Sequence, residues 1–159
     1  MPAFVLPLKY RLLLKTYRWR RIEPVPAAAR RQPLAQSRVA LVTSAGLVAP
    51  GNPPFDLARR GGDPSFRLIP ADAPGDRLVV HHRSEAFDRT GLTEDLNVIF
   101  PRDALAQLAL EGVIGEVAPR HLSFMGSITA PGRLIREYAP EAAEVMVGDA
   151  VDVALLVPV

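Results

Sequence analysis

The architecture of this 159-residue chain is first indicated by Arg38-Val39-Ala40-Leu41-Val42-Thr43. This short, β-branched apolar run ends at Ser44-Ala45-Gly46, as a buried first strand and its turn do. A second apolar run, Val151–Val157, lies near the other end of the sequence. Runs that are apolar on both faces are typical of strands in parallel sheets covered by helices, so the two runs predict an α/β domain.

The sequence between these two runs alternates extended and helical patterns. Extended segments are predicted at Leu78–His81, Leu96–Phe100 and Val113–Gly115, and helices at 101–111, Pro131–Tyr138 and Pro140–Val147. A proline opens the first helix and Gly112 fits its stop. We therefore predict that residues 38–159 form an open, mostly parallel sheet with flanking helices, like one half of a Rossmann or flavodoxin-like fold. The last strand is expected to be buried between neighbours.

Residues 1–37 form a basic arm and linker in front of this domain. The net charge of +2 conceals an asymmetry, because residues 1–38 carry nine Lys and Arg against Glu23 alone, while the rest carries ten against sixteen acidic residues. Tyr10, Leu13, Leu14 and Tyr17 fall at helical spacing. We expect a short helix that docks on the acidic body or on a partner subunit, and no nucleic-acid partner.

Composition excludes several kinds of site within these residues. Without cysteine, the chain has no thiol nucleophile, disulfide or Cys-based metal site. His81 and His82 are adjacent on a predicted strand and therefore point to opposite faces, so no metal site is predicted. No apolar run approaches the roughly 20 residues of a membrane span, and no secretory signal is recognised, so we expect a cytoplasmic protein.

Two loops are candidates for substrate binding. Thr43, Ser44 and Gly46 follow the first strand, where small residues let a ligand approach backbone N–H groups. A plain tight turn is an equal alternative for that stretch. Asp63 and Arg67 lie in a long loop that resembles a lid, although Asp-Pro-Ser is equally good turn chemistry.

Several segments, in order along almost the whole chain, resemble the glycine/sarcosine/betaine/D-proline reductase selenoprotein B family, especially its shorter bacterial members. The matching stretches are Lys9–Arg11, Lys15–Arg21, Val39–Gly46, Pro53–Asp56, Gly62–Arg67, Asp95–Pro101, Glu111–Gly115, Arg120–Gly126 and Val151–Val159.

The resemblance implies a redox motif directly after the last stretch. In the family, selenocysteine or cysteine follows, then two residues and a cysteine. Selenocysteine is encoded by UGA, so we expect the sequence to stop at Val159 because that codon was read as termination. The selenocysteine is then expected immediately after Val159, with no cofactor within the chain, an incomplete sheet at the C-terminus, and an inactive 159-residue form.

The family chemistry is the reductive cleavage of a C–N bond α to a carboxylate by a selenolate, which a dithiol or thioredoxin-type donor resets. The implied partners are other reductase subunits and a small amino-acid-like substrate. In this interpretation Arg120–Gly126 borders the active site: His121 is a candidate acid for the leaving amine, Arg120 a candidate carboxylate clamp, and Ser123 a nearby hydroxyl. A capped loop with a satisfied imidazole is the alternative. In some subunits of these reductases a carbonyl group activates the amine, and nothing here matches such a site.

Two other interpretations remain. The chain is alternatively a non-catalytic α/β module that binds a small acidic metabolite or a partner subunit. A relative of the two-lobed racemase-like folds is disfavoured, because their usual pair of acid/base cysteines is absent.

Overall fold

Strand β1 (Arg38–Thr43) is the central strand of the sheet in the computed structural model, which describes residues 8–17, 21–85, 87–92 and 94–159. Its bounds are those predicted from the sequence. The apolar side chains of Val39, Ala40 and Leu41 are buried, as expected for a strand with neighbours on both edges.

The neighbours of β1 are mostly parallel to it. Strand β7 (Val153–Val157) pairs with residues 39–43 of β1 along one edge, over its whole length. Strands β5 (Glu116–Val117) and β6 (Arg120–Phe124) pair with the other edge, and β3 (Phe66–Pro70) lies antiparallel to β6. The predicted α/β class with a mostly parallel sheet is confirmed.

The pairing of β5 and β6 with β1 contains a bulge. Val39 lies opposite Val117, but Val42 lies opposite Leu122, so residues 118–121 stand against only two residues of β1. Within the bulge the backbone N–H of Leu41 donates to Nδ1 of His121 at 3.1 Å. An imidazole thus replaces a backbone carbonyl, which keeps the buried N–H satisfied.

The remaining elements flank this sheet. Strands β2 (Leu47–Val48) and β4 (Val79–Val80) form a small antiparallel pair. The helices are α1 (Leu8–Thr16), α2 (Arg102–Leu110) and α3 (Ala139–Gly148), which continues from a π-helical turn at Leu134–Tyr138. Short 3₁₀ turns occur at Leu34–Gln36, Gly75–Arg77 and Leu96–Val98.

Three predicted elements differ in the structure. Leu96–Phe100 is not extended, because the Asp95 carboxylate accepts the Asn97 N–H at 2.8 Å and caps a 3₁₀ turn. Val113–Gly115 is not a strand, and β5 begins one residue later, since the Gly115 N–H is bonded to the carbonyls of Leu34 and Ser37. The two helices predicted at 131–147 form one continuous helical stretch, because Pro140 lies in the first turn of α3, where proline is tolerated.

The main core lies between the sheet and α2. Leu105 of α2 packs into a cluster of buried side chains that come from β1, β2, β3 and the connecting loops. The cluster comprises Val39, Leu41, Ala45, Leu47, Ala49, Ile69, Ala73, Ile99, Phe100, Leu105 and Ile114. Helix α2 therefore covers the face of the sheet that carries Val39 and Leu41.

The N-terminal arm begins with the predicted helix, but the described side chains of α1 are all exposed. The expected docking of this helix on the acidic body is therefore not observed among them, and its docking on a partner subunit stays a prediction. Residues 1–7 and 18–20 lie outside the described residues. Within the part of the chain that is described, no helix has the length and apolar character needed to cross a membrane.

The last strand is exposed, contrary to the prediction of a buried one. Leu155 is 46% exposed and Leu156 is 69% exposed. Strand β7 pairs with β1 only, and no described element pairs with its other edge. The exposed apolar side chains of β7 therefore form a surface that none of the described residues covers.

We expect this open edge to cause self-association of the 159-residue protein. Leu156→Lys places a charge on the exposed strand and should shift the protein towards monomer, because charged side chains on edge strands oppose pairing. Size-exclusion chromatography with light scattering over a concentration series measures the effect. Val147→Lys, on α3 and 78% exposed, is the matched control and should not change association. A wild-type protein that is monomeric at all concentrations would contradict this prediction.

Candidate functional site

The carboxyl ends of β1, β6 and β7 meet at one edge of the sheet, since these strands are parallel. They surround an open cavity of about 430 Å³, here called the carboxyl-edge cavity. Its lining is largely apolar and includes Val42, Phe124, Ile128, Leu134, Leu156, Val157 and Pro158, with hydroxyl-bearing residues Thr43, Ser44 and Ser127. Ligands of open α/β sheets bind at such an edge.

Two of the predicted substrate-binding residues, Thr43 and Ser44, line this cavity. The Thr43 hydroxyl donates to the Ile99 carbonyl at 2.8 Å and accepts the Ala45 N–H at 3.2 Å. The Ser44 N–H donates to the Val157 carbonyl at 3.1 Å, and the Ser44 hydroxyl accepts the Val159 N–H at 2.9 Å. These two hydrogen bonds of Ser44 connect the end of β7 and the residues after it to the end of β1.

Gly46, the third predicted residue of this turn, connects three segments. Its φ of +69° is accessible to glycine, its N–H donates to the Phe124 carbonyl at 2.8 Å, and its carbonyl accepts the His81 N–H at 2.7 Å. A Cβ here would lie 2.3 Å from the His81 carbonyl oxygen. Because the N–H groups of residues 44–46 all donate within the chain, a ligand cradle at this turn would require those bonds to break.

The turn after β6 approaches the turn after β1 closely. Gly126 has a φ of +64°, and a Cβ on it would lie 2.6 Å from the Ser44 carbonyl oxygen and 2.9 Å from Nε2 of His82. His82 lines a second cavity of about 460 Å³, which shares Pro158 with the first. The sequence indicated Gly126 only as the end of the stretch Arg120–Gly126 and His82 only as an unlikely metal ligand, so the contact between them was not predicted.

Arg120 and Ser123 lie at opposite ends of β6. Arg120 forms a bidentate ion pair with Asp149, with N–O distances of 2.8 and 2.7 Å, and hydrogen bonding in this pair raises the pKa of Arg120 and lowers that of Asp149. The guanidinium thus already holds a carboxylate of its own chain. Ser123 is buried opposite Thr43, and its hydroxyl has no hydrogen-bond partner among the described residues.

His121 is fully buried on β6, the strand next to β1. Its Nδ1 accepts the Leu41 N–H, so the neutral ring carries its proton on Nε2, and the ring meets Phe100 edge-on at 5.4 Å. Burial, together with the charge of Arg102, lowers the pKa of His121 to about 4. The contacts of His121 in this structure are structural ones, and a proton-donating role stays a prediction.

Asp63 and Arg67 do not reach the carboxyl-edge cavity. Arg67 donates to the carbonyls of Pro53 and Pro54 at 2.6 and 2.9 Å and lies 4.1 Å above the Phe55 ring. Burial alone would raise the pKa of Asp63, but hydrogen bonds from residues 56 and 65 and the charge of Arg67 lower it. Asp63 and Arg67 together therefore hold the segment 53–55 against β3.

The fold and cavity define an α/β protein whose candidate ligand site lies at the carboxyl edge of a mostly parallel sheet. Residues 8–158 match the family of glycine/sarcosine/betaine reductase selenoprotein B. The chain belongs to this family, which confirms the resemblance noted in the sequence.

Curated relatives agree with this membership. The chain is 37% identical over 123 residues to the D-proline reductase subunit gamma of Acetoanaerobium sticklandii, covering 77% of this chain and 49% of that protein. It is 31% identical over 115 residues to the sarcosine reductase complex component B subunit beta of Peptoclostridium acidaminophilum, covering 70% and 25%. The glycine reductase complex component B subunit gamma of Symbiobacterium thermophilum is 28% identical over 137 residues, covering 86% and 31%.

The matched regions thus span between a quarter and a half of the length of these relatives. No solved structure matches the chain significantly.

The low pKa of His121 predicts acid sensitivity. The unfolded chain, with an ordinary histidine pKa near 6.5, binds a proton before the folded protein does. The free energy of unfolding should therefore fall by up to about 3 kcal/mol between about pH 7 and pH 4. His121→Asn retains an acceptor for the Leu41 N–H but does not titrate, so urea unfolding should show a flatter pH dependence. His81→Asn is the control, and equal pH profiles for wild type and H121N would refute the assignment.

The close approach at Gly126 predicts a costly alanine substitution. Gly126→Ala and Gly112→Ala share a positive φ, of +64° and +70°, but nothing lies within 4 Å of a Cβ on Gly112. The backbone penalty of about 1–2 kcal/mol is common to both. Only G126A adds a collision with backbone, so chemical denaturation should show the larger loss of stability for G126A. Equal losses would mean that the two turns are not in contact.

Proposed function

We propose that this chain is the N-terminal portion of a subunit that carries a selenol or thiol directly after Val159 and reductively cleaves a C–N bond α to a carboxylate. Family membership supports the reductase role. The observation that carries the proposal is the hydrogen bond from the Val159 N–H to the Ser44 hydroxyl at 2.9 Å. A residue attached to Val159 would begin at the carboxyl edge of the sheet, beside both cavities.

The position suits a chalcogen nucleophile. The deprotonated selenol or thiol is the reactive form, and nearby cations, helix N-termini or an adjacent base favour its formation. The register of β7 with β1 fixes the backbone leading to Val159, and the lining of the neighbouring carboxyl-edge cavity is largely apolar.

The proposed reaction conserves atoms and electrons. The selenolate or thiolate attacks the carbon that bears the amine, and the C–N bond pair leaves with the nitrogen, which takes up a proton. A thiol then attacks the chalcogen, and the carbon departs with the bond pair and is protonated to C–H. A second thiol releases the chalcogenolate and leaves a disulfide, so a dithiol or thioredoxin-type donor supplies the two electrons.

The predicted site residues take different parts in this proposal. Thr43 and Ser44 form part of the wall of the site, Gly46 connects the turn behind them to β6 and His81, and Ser123 lies opposite Thr43 on the neighbouring strand. Arg120, His121, Asp63 and Arg67 serve as supports that hold the strands and loops around this wall. We further propose that other subunits supply the remaining walls, that the substrate is a small amino-acid-like molecule, and that the reaction occurs in the reducing cytoplasm.

The nucleotide sequence after the Val159 codon tests the proposal first. We expect UGA, followed in frame by a continuation with a cysteine three positions further on. The 159-residue protein should show no reductase activity with any donor, whereas the continued chain with its partner subunits should release amine from substrate. Replacement of the residue after Val159 by serine is the control and should abolish turnover, because an alcohol is a poor nucleophile at neutral pH.

Two outcomes would overturn this proposal. An ordinary UAA or UAG codon with no open frame beyond it removes the redox motif and favours the non-catalytic module that binds a metabolite or subunit. Turnover by the 159-residue protein itself would refute the chalcogen-dependent mechanism.

A further inference from the structure

A second cavity adjoins the carboxyl-edge cavity and has no role in the site as described above. Its volume is about 460 Å³, and its lining includes His82, Phe87, Ile99, Pro158 and Val159. We call it the His82 cavity. Because Pro158 lines both cavities, the chain beyond β7 passes between them.

The His82 ring is buried and its orientation is fixed. The residue is 6% exposed, and its ring packs at 4.7 Å from the Phe87 ring. Nδ1 accepts the Ser84 N–H at 3.2 Å, so the neutral imidazole carries its proton on Nε2. Nε2–H is therefore a donor held in one direction.

This donor has no acceptor among the described residues. A buried donor without an acceptor costs free energy, and such groups in native proteins call for an explanation. A Cβ on Gly126 would lie 2.9 Å from Nε2, so the donor stands beside a glycine that lines the carboxyl-edge cavity. The unpaired N–H thus lies at the junction of the two cavities.

Burial and one nearby charge favour the neutral form of the His82 ring. Burial, followed by the charge of Arg89, lowers the pKa of His82, and Arg89 donates to the His82 carbonyl at 2.7 Å. Asp88 also lines the His82 cavity, but its Oδ1 accepts the N–H and hydroxyl of Thr90 at 2.9 and 2.7 Å. Neither of these two side chains is hydrogen-bonded to Nε2.

We propose that His82 is a further catalytic residue whose Nε2–H donates a hydrogen bond to the selenolate or thiolate carried by the residue directly after Val159. This inference rests on the function proposed above. Val159 and His82 line the same cavity, and Gly126, beside Nε2, lines the adjoining one, so the residue after Val159 starts next to the junction at which this donor lies. The bond stabilises the anion over its protonated form and fixes the direction of its lone pairs.

The test uses the continued chain with cysteine after Val159 and with the second cysteine of the motif replaced by serine, so that one thiol of the motif remains. His82→Asn retains an acceptor for the Ser84 N–H but has no group at the ε position. His82→Gln retains an N–H donor near that position. We expect H82N to raise the pKa of the thiol by about one to two units, as loss of a hydrogen bond to a charged group implies. H82Q should leave it close to the wild-type value.

The rate of alkylation by iodoacetamide across pH gives the thiol pKa, and mass spectrometry of the labelled peptide identifies the residue. His81→Asn is the matched control, because His81 lines a different cavity with Val48 and Asn52. In the wild-type protein, the Nε2 resonance of His82 should shift when the thiol ionises, which tests the contact without any substitution.

The outcomes separate the two proposals. A thiol mapped to the residue after Val159, with the same pKa in wild type and H82N and no shift at His82, overturns the role of His82 and leaves the reductase proposal intact. A continued chain with no cysteine or selenocysteine after Val159 overturns both.

Discussion

The pairing of β1 with strands on both of its edges determines where the candidate site residues of the carboxyl edge lie. Strand β7 aligns with all but the first residue of β1, and β5 and β6 occupy the other edge. Because these pairings are parallel, the turns after β1, β6 and β7 meet at one edge of the sheet. The carboxyl-edge cavity, the Ser44 contact with Val159 and the approach of Gly126 to Ser44 all follow from that alignment.

The sequence predicted best those features that depend only on neighbouring residues in the chain. The bounds of β1 and the helix stop at Gly112 follow from β-branched runs, a proline and a positive φ, which need no distant partner. The exposure of β7 does not follow from its apolar pattern alone, since such a run looks the same whether or not the described residues cover it, although the resemblance implied an incomplete sheet at this end. At Leu96–Phe100, the Asp95 side chain competed successfully with an extended backbone.

The candidate site was predicted in part for the same reason. Thr43 and Ser44 were found because a turn after a parallel strand lies at the ligand edge wherever the rest of the chain goes. Arg120 was taken as a substrate clamp because its partner Asp149 lies 29 residues away and no local pattern links them. His82 was considered only as a metal ligand, and its importance depends on Gly126 and Val159, which approach it through tertiary folding.

The bulge at residues 118–121 places two more residues opposite β1 than regular pairing would. Strand β5 pairs with β1 on one side of it and β6 on the other, and the two surplus residues shift the register of β6 by two residues relative to that of β5. His121, which completes the hydrogen-bond ladder within the bulge, therefore stabilises the sheet itself. The carboxyl-edge cavity is lined by other residues, at the carboxyl ends of the strands. Substitutions that change the pKa of His121 and substitutions that change the carboxyl-edge cavity are therefore expected to act at opposite ends of β6.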